Sequence, residues 1–121
     1  MSGLINRIDW ARIFVSDLKR SRAFYDKLFG MAPMWADDAA AVYQTGGAKL
    51  VVEKSDPEDP ETADLVGRFA GLSFAAEDID GVYGAMVADG IKFDGPPKKQ
   101  EWGGTLAHFH DPDDNVLTLI G

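Results

Sequence analysis

Along this chain apolar side chains recur at every second position, then at every third or fourth, then at every second again, and the cycle runs twice. Residues 9–15 (DWARIFV) predict a strand with Trp10, Arg12 and Phe14 on one side and Ala11, Ile13 and Val15 on the other. Ser16 or Asp17 caps the helix that follows, DLKRSRAFYDKLF. Its i, i+3, i+4 spacing lines up Leu18, Ser21, Phe24, Tyr25 and Leu28, and Gly30 supplies a left-handed stop. Three short strands are predicted next, over residues 31–35, 40–44 and 48–53, with Gly46-Gly47 turning the last two into a hairpin.

Residues 54–64, KSDPEDPETAD, interrupt the pattern. They are acidic, carry prolines and offer almost nothing to bury, so they predict an exposed, mobile linker. The grammar then restarts. A strand is predicted over 72–76, and Asp78 caps a helix with Ile79, Val82, Tyr83, Met86 and Val87 on its apolar side. Gly90 stops it, and strands follow over 91–94, 105–110 and 116–120. DPDDN (residues 111–115) joins the last two, from residues that set the proline φ, bond their own backbone or tolerate the left-handed region. Each half is thus strand, Asp-capped helix, glycine stop and three strands: module 1 over about 5–53 and module 2 over about 69–121. Neither half alone closes a useful core. Pairing the halves into one domain buries the helices on one side of the sheet and leaves the other side to curve around a ligand. Leu18, Phe24, Leu28, Ile79, Val82 and Met86 are the expected helix core.

Composition adds exclusions. A chain of 121 residues can bury a core without staples, and with 0 cysteines it has no disulfide, thiolate metal site or cysteine nucleophile. The formal charge of −8 disfavours nucleic acid, which needs a basic surface. No stretch reaches membrane-spanning length, and the N-terminus has no basic-then-apolar leader pattern, so a cytoplasmic protein without a membrane partner is expected.

Candidate chemistry is sparse. An Arg between two aromatics, as in Trp10, Arg12 and Phe14, suits a carboxylate, a phosphate or a flat aromatic; it equally suits an Arg reaching the rim to meet a surface carboxylate. Glu53, at a strand end, is a general base, a cation anchor or a solvated acid. His108 and His110, at i, i+2, share a strand face that could hold a metal with Glu53; otherwise they are hairpin surface residues with His110 capping the DPDDN turn. Trp35, Tyr43 and Trp102 sit at strand ends or beside glycines, where rings wall a ligand or seal a core, and Gly103-Gly104 suggests a mobile loop.

VSDLKRSRAFYDKLFGM (15–31), EDIDGVYGAMVADGIKFDGPP (77–97) and WGGTLAHFHDPDDNVLTLI (102–120) together resemble the two module signatures and closing hairpin of the vicinal oxygen chelate superfamily of glyoxalases, bleomycin-resistance proteins and extradiol dioxygenases. The resemblance implies an α+β fold of two βαβββ modules in a cup-shaped, eight-stranded mixed sheet, and a homodimer. In its metal-dependent members, four inward side chains hold the ion. The corresponding positions here are Trp10, Val51, Gly71 and Thr118, which lack the usual imidazole and carboxylate donors. In the family the closing hairpin usually ends in Asp-Pro-Asp-Gly-Asn and then an apolar-Glu-apolar strand. The chain therefore resembles the non-metal, bleomycin-resistance-like members. It is expected to bind a small aromatic or amphipathic molecule, without cofactor, through Trp10, Arg12, Phe14, Trp35, Tyr43, Val51, Glu53, Trp102 and Thr118. The alternative is a divalent-metal lyase or dioxygenase with displaced ligands Glu53, His108 and His110.

Overall fold

A computed structural model of the chain describes residues 3–121. It contains the eight strands and two main helices in the expected repeated βαβββ order: β1 (Trp10–Val15), α1 (Leu18–Phe29), β2 (Trp35–Ala36), β3 (Ala40–Tyr43), β4 (Lys49–Lys54), β5 (Phe69–Ala75), α2 (Ile79–Ala88), β6 (Lys98–Lys99), β7 (Thr105–His110) and β8 (Val116–Ile120). The strands are shared four and four between two sheets, ordered β1-β4-β3-β2 and β5-β8-β7-β6, each with one parallel and two antiparallel pairings. The chain divides into two compact units, the first ending at Leu65 and the second beginning at Val66.

In the first unit, Asp17 caps α1 by accepting from the Arg20 amide, and Gly30 ends it at φ 65°, a conformation glycine adopts without Cβ strain. The helix buries Leu18, Ser21 and Tyr25; Phe24 and Leu28, expected at the centre of the stripe, are only part-buried at its flanks. Beneath it lie Ile13, Val15, Ala41, Tyr43, Leu50 and Val52, all buried. These residues share one sheet face by alternation and register, since Ile13 pairs with Val52 and Tyr43 with Leu50.

In the second unit, Asp78 caps α2 by accepting from Gly81. The helix buries Ile79 and Met86, while Val82 is part-buried. The helix side is built from rings, with Tyr83 edge-on to Phe93 at 4.7 Å and Phe93 and Phe74 on Phe109 at 5.6 and 6.2 Å. The strand expected over 91–94 is reduced to a single bridge, Phe93 to Phe109; the edge strand forms instead at Lys98–Lys99, beyond the Pro96-Pro97 pair. Proline has no N–H to give a ladder, so pairing resumes only after it.

The segment expected as a plain linker is built from turns. Asp56 and Asp59 accept from Glu58 and Glu61 amides, and Ser55 is buried with its hydroxyl on the Thr62 carbonyl at 3.0 Å. A 3₁₀ turn, Ala63–Leu65, completes it.

Candidate functional site

The sheet face opposite α1 collects most of the predicted residues of the first unit. Register sets Trp10 beside Lys49, Arg12 beside Val51 and Phe14 beside Glu53 on the neighbouring strand; Val42 pairs with Val51, and Trp35 with Val42. Trp10, Arg12, Phe14, Trp35, Val51 and Glu53 therefore stand on one face with Val42 and Lys49. Val51 and Phe14 are buried, whereas Trp10 and Trp35 are 57% and 53% exposed. Trp35 lies in the row of Arg12 but three strands away, about 14 Å at normal strand spacing. The floor between is Val51 and Val42.

Arg12 is fixed on this face. Its Nε and Nη2 donate to Glu53 Oε1 and Oε2 at 2.5 and 3.0 Å, a bidentate fork, and its guanidinium lies 5.2 Å over the Phe14 ring. Hydrogen bonding to Glu53, reinforced by its charge, holds the guanidinium pKa above even its usual high value. Arg12 is thus not a lone inward cation: half exposed, it meets a carboxylate, that of Glu53 on the neighbouring strand. Glu53 is not a free acid either.

Tyr43 is not part of this face. It is fully buried on the α1 side, in ring contact with Tyr25 and Phe29, and its hydroxyl donates to Asp26 Oδ1 at 2.5 Å. Burial first, then the Asp26 bond, pushes the phenol pKa far up. A ligand on the open face cannot reach it, and the expectation that it binds one is corrected. Which face a strand residue takes depends on register: Tyr43 is opposite Leu50, one step out of phase with Val51.

In the second unit the open face sets polar side chains beside apolar ones. Ser73 and His108 both pair with Thr118, which is buried. His108 Nδ1 is 2.9 Å from Thr118 Oγ1, and the Phe69 ring is edge-on to the imidazole at 5.6 Å. His110 Nε2 is 2.6 Å from Asp94 Oδ1, which holds the Asp94 carboxyl below its usual pKa, and Nδ1 faces Asp114 Oδ1 at 3.3 Å without hydrogen-bond geometry. Both histidines are part-buried on the β7–β8 hairpin: His108 ties its two strands together, and His110 sits at its end between Asp94 and the turn residue Asp114. Trp102, 65% exposed, lies in the β6–β7 turn with its ring folded over Gly104, where a Cβ would meet the ring at 2.0 Å. Gly104 is thus a seat for the indole as much as a flexible link. Lys49, Asp94 and Phe69 were not singled out in the sequence. Lys49 shares the parity of Val51 and Glu53, so alternation alone could have found it.

The family model of the glyoxalase/bleomycin resistance protein/dioxygenase superfamily matches residues 7–119. The chain belongs to this superfamily. It is 28% identical over 118 residues to the uncharacterised protein YraH of Bacillus subtilis (strain 168), covering 89% of this chain and 92% of the relative. A crystal structure of a superfamily member from Sphaerobacter thermophilus DSM 20745 superposes with TM-score 0.76 at 26% identity, covering 97% of this chain and 98% of that one. A glyoxalase-related enzyme from Fulvimarina pelagi matches at TM-score 0.74 and 20% identity, over 96% and 88% of the two chains.

Within the superfamily frame, the two modules can be compared position by position. Arg12 and Ser73 each lie five residues before their capping Asp, and they pair in parallel with Val51 and Thr118, so Val51 and Thr118 are internal equivalents. Gly71 lies in an irregularity of β5 between Phe69 and Ser73, with φ 70°. The positions that the resemblance assigns to metal donors thus offer an indole N–H and an isopropyl group in the first unit, and a hydrogen and a hydroxyl already shared with His108 in the second. Neither pair fits a hard divalent cation. Among the described residues, no three His, Asp or Glu side chains are grouped so as to hold a metal.

Proposed function

We propose that this superfamily member binds a small aromatic or amphipathic molecule on the open face of its first sheet, without the divalent metal of the metal-dependent members. The observation that carries this reading is the grouping of Trp10, Trp35 and the Arg12–Glu53 fork around an apolar floor of Val42 and Val51. Two half-exposed indoles cost solvation that a flat ligand would recover, and a fixed polar pair beside them would orient it. The test is a ligand screen by tryptophan fluorescence, run alongside elemental analysis of protein purified without chelator. Trp10→Ala should abolish binding while circular dichroism is unchanged. Unchanged affinity in that variant sinks the reading. Stoichiometric metal on Glu53 with His108 or His110, with activity lost on chelation, puts a lyase or dioxygenase first. We also propose a homodimer. Leu4, Ile5 and Ile8 are 105%, 87% and 78% exposed, which supports a second subunit covering them; a monomer mass by light scattering at micromolar concentration would refute it.

A further inference from the structure

The way Glu53 holds Arg12 determines what Arg12 has left to offer. A guanidinium carries five N–H groups in a planar fork. Glu53 engages Nε and Nη2, and among the described residues no other hydrogen-bond partner of Arg12 is present. Three N–H groups remain, one on Nη2 and two on Nη1, and one from each nitrogen together form the outer edge of the fork. That edge is the right shape for a second, coplanar carboxylate. The Phe14 ring beneath the guanidinium and the Glu53 fork at its side fix its plane, so little rotamer entropy remains to be lost when a ligand docks.

The local charge also favours an anion. The whole chain has formal charge −8, with five of its acids in the turn-rich segment over residues 54–64. Along β1 and β4 three cations stand with two acids, Arg7 and Lys49 3.4 and 3.9 Å from Asp9 and Arg12 on Glu53. Among these five groups one positive charge is in excess, which suits a monoanion. The apolar remainder of such a ligand would lie on Val51 and Val42 against Trp10.

We propose that the outer edge of Arg12 is a carboxylate subsite, and that the ligand class of this face is the flat aromatic monocarboxylate. Glu53 is its positioning residue. The proposal rests on the open-face binding reading above and adds the sign and shape of the ligand's polar group.

Three probes of one ring system test it on the full chain by calorimetry: 2-naphthoate, 2-naphthalenemethanol and 2-naphthylmethylammonium. Naphthoate should bind at least about tenfold more tightly than the alcohol, and the ammonium more weakly than either. Arg12→Gln should abolish the preference for the anion, with naphthoate's affinity falling at least about tenfold further than the alcohol's. Arg12→Lys, which keeps the charge but not the fork, should retain only a part of it. Circular dichroism confirms that each variant folds. Equal affinities for naphthoate and alcohol, a preference for the ammonium, or an anion preference that survives Arg12→Gln each overturn the subsite while leaving the open-face reading standing. Failure of all three probes to bind below about 5 mM overturns both.

Discussion

Tyr43 and Phe109 occupy equivalent places in the two units: each pairs with the leucine that precedes Val51 or Thr118, and each is fully buried on the helix side of its sheet. Their surroundings differ. Tyr43 meets Tyr25 and Phe29 of α1 and ends in a hydrogen bond to Asp26 of the same helix, so helix and sheet are tied by polar and apolar contacts at one point. Phe109 has no hydroxyl and meets Phe74 and Phe93, and through Phe93 the chain of rings reaches Tyr83 of α2. The second unit places its polar tie elsewhere, in the turn between β7 and β8. Asn115 Oδ1 accepts from Gly67 and Arg68, and its amide donates to Asp111, whose other oxygen accepts from Asp113 and Asn115 amides. One repeated frame is thus secured at a helix in one unit and at a turn in the other. A repeat in secondary structure does not require a repeat in what stabilises it.

The largest effect should come from the turn. Asn115 is 1% exposed, and Asn115→Ala withdraws an acceptor from two amides and a donor from Asp111 in a buried place. We expect a loss of about 3 kcal/mol in denaturant unfolding. A loss below about 1 kcal/mol would mean that the turn does not anchor the second unit.

Tyr43→Phe should cost about 2 kcal/mol, the range of a hydrogen bond to a carboxylate. It carries a pH signature. The folded pKa of Tyr43 is raised, so its contribution is fully present below the unfolded phenol value of about 10 and is lost as pH rises above it. Wild-type stability should therefore fall more steeply above about pH 10 than that of Tyr43→Phe. Parallel curves for the two proteins would refute the assignment.

These two anchors also show what the sequence reveals and what it conceals. The caps Asp17 and Asp78, the left-handed Gly30 and Gly90, and strands β7 and β8 were legible because each is decided by residues within a few positions. Short edge strands were not. β2 and β6 are two residues each, and what places them is the partner strand, not their own pattern. The open-face set was legible along β1, where alternation alone groups Trp10, Arg12 and Phe14. The Arg12–Glu53 fork spans 41 positions, and Tyr43 changes face with register, so neither could be read locally.

The opposite sign is expected at Ser21. It is fully buried on the packed face of α1, and among the described residues its Oγ has no hydrogen-bond partner. Ser21→Ala removes an unpaired polar atom and improves helix propensity, so the first unit should gain about 1 kcal/mol. A loss of stability would show that the hydroxyl is satisfied in solution, by water or by the preceding turn.

The smallest effect tests the turns themselves. Between β3 and β4 the first unit uses Gly46 at φ 89°, where a glycine relieves all strain. Between β7 and β8 the second unit places Asp114 at φ 61°, the one non-glycine residue with positive φ among the described residues. Aspartate tolerates this region better than most residues but not freely. Its side chain is 71% exposed, and its approach to His110 at 3.3 Å is without hydrogen-bond geometry, so little is lost by deleting it. Glycine removes the strain but makes the unfolded chain more flexible, and these two effects partly cancel. Asp114→Gly should therefore raise stability by only about 0.5 kcal/mol. Asp114→Ala has the Cβ strain without the aspartate's tolerance and should lower stability by about the same amount. The ordering glycine above aspartate above alanine, read from denaturant midpoints at constant slope, is the check. Alanine equal to glycine would show that the left-handed backbone at Asp114 is not a source of strain in the second unit.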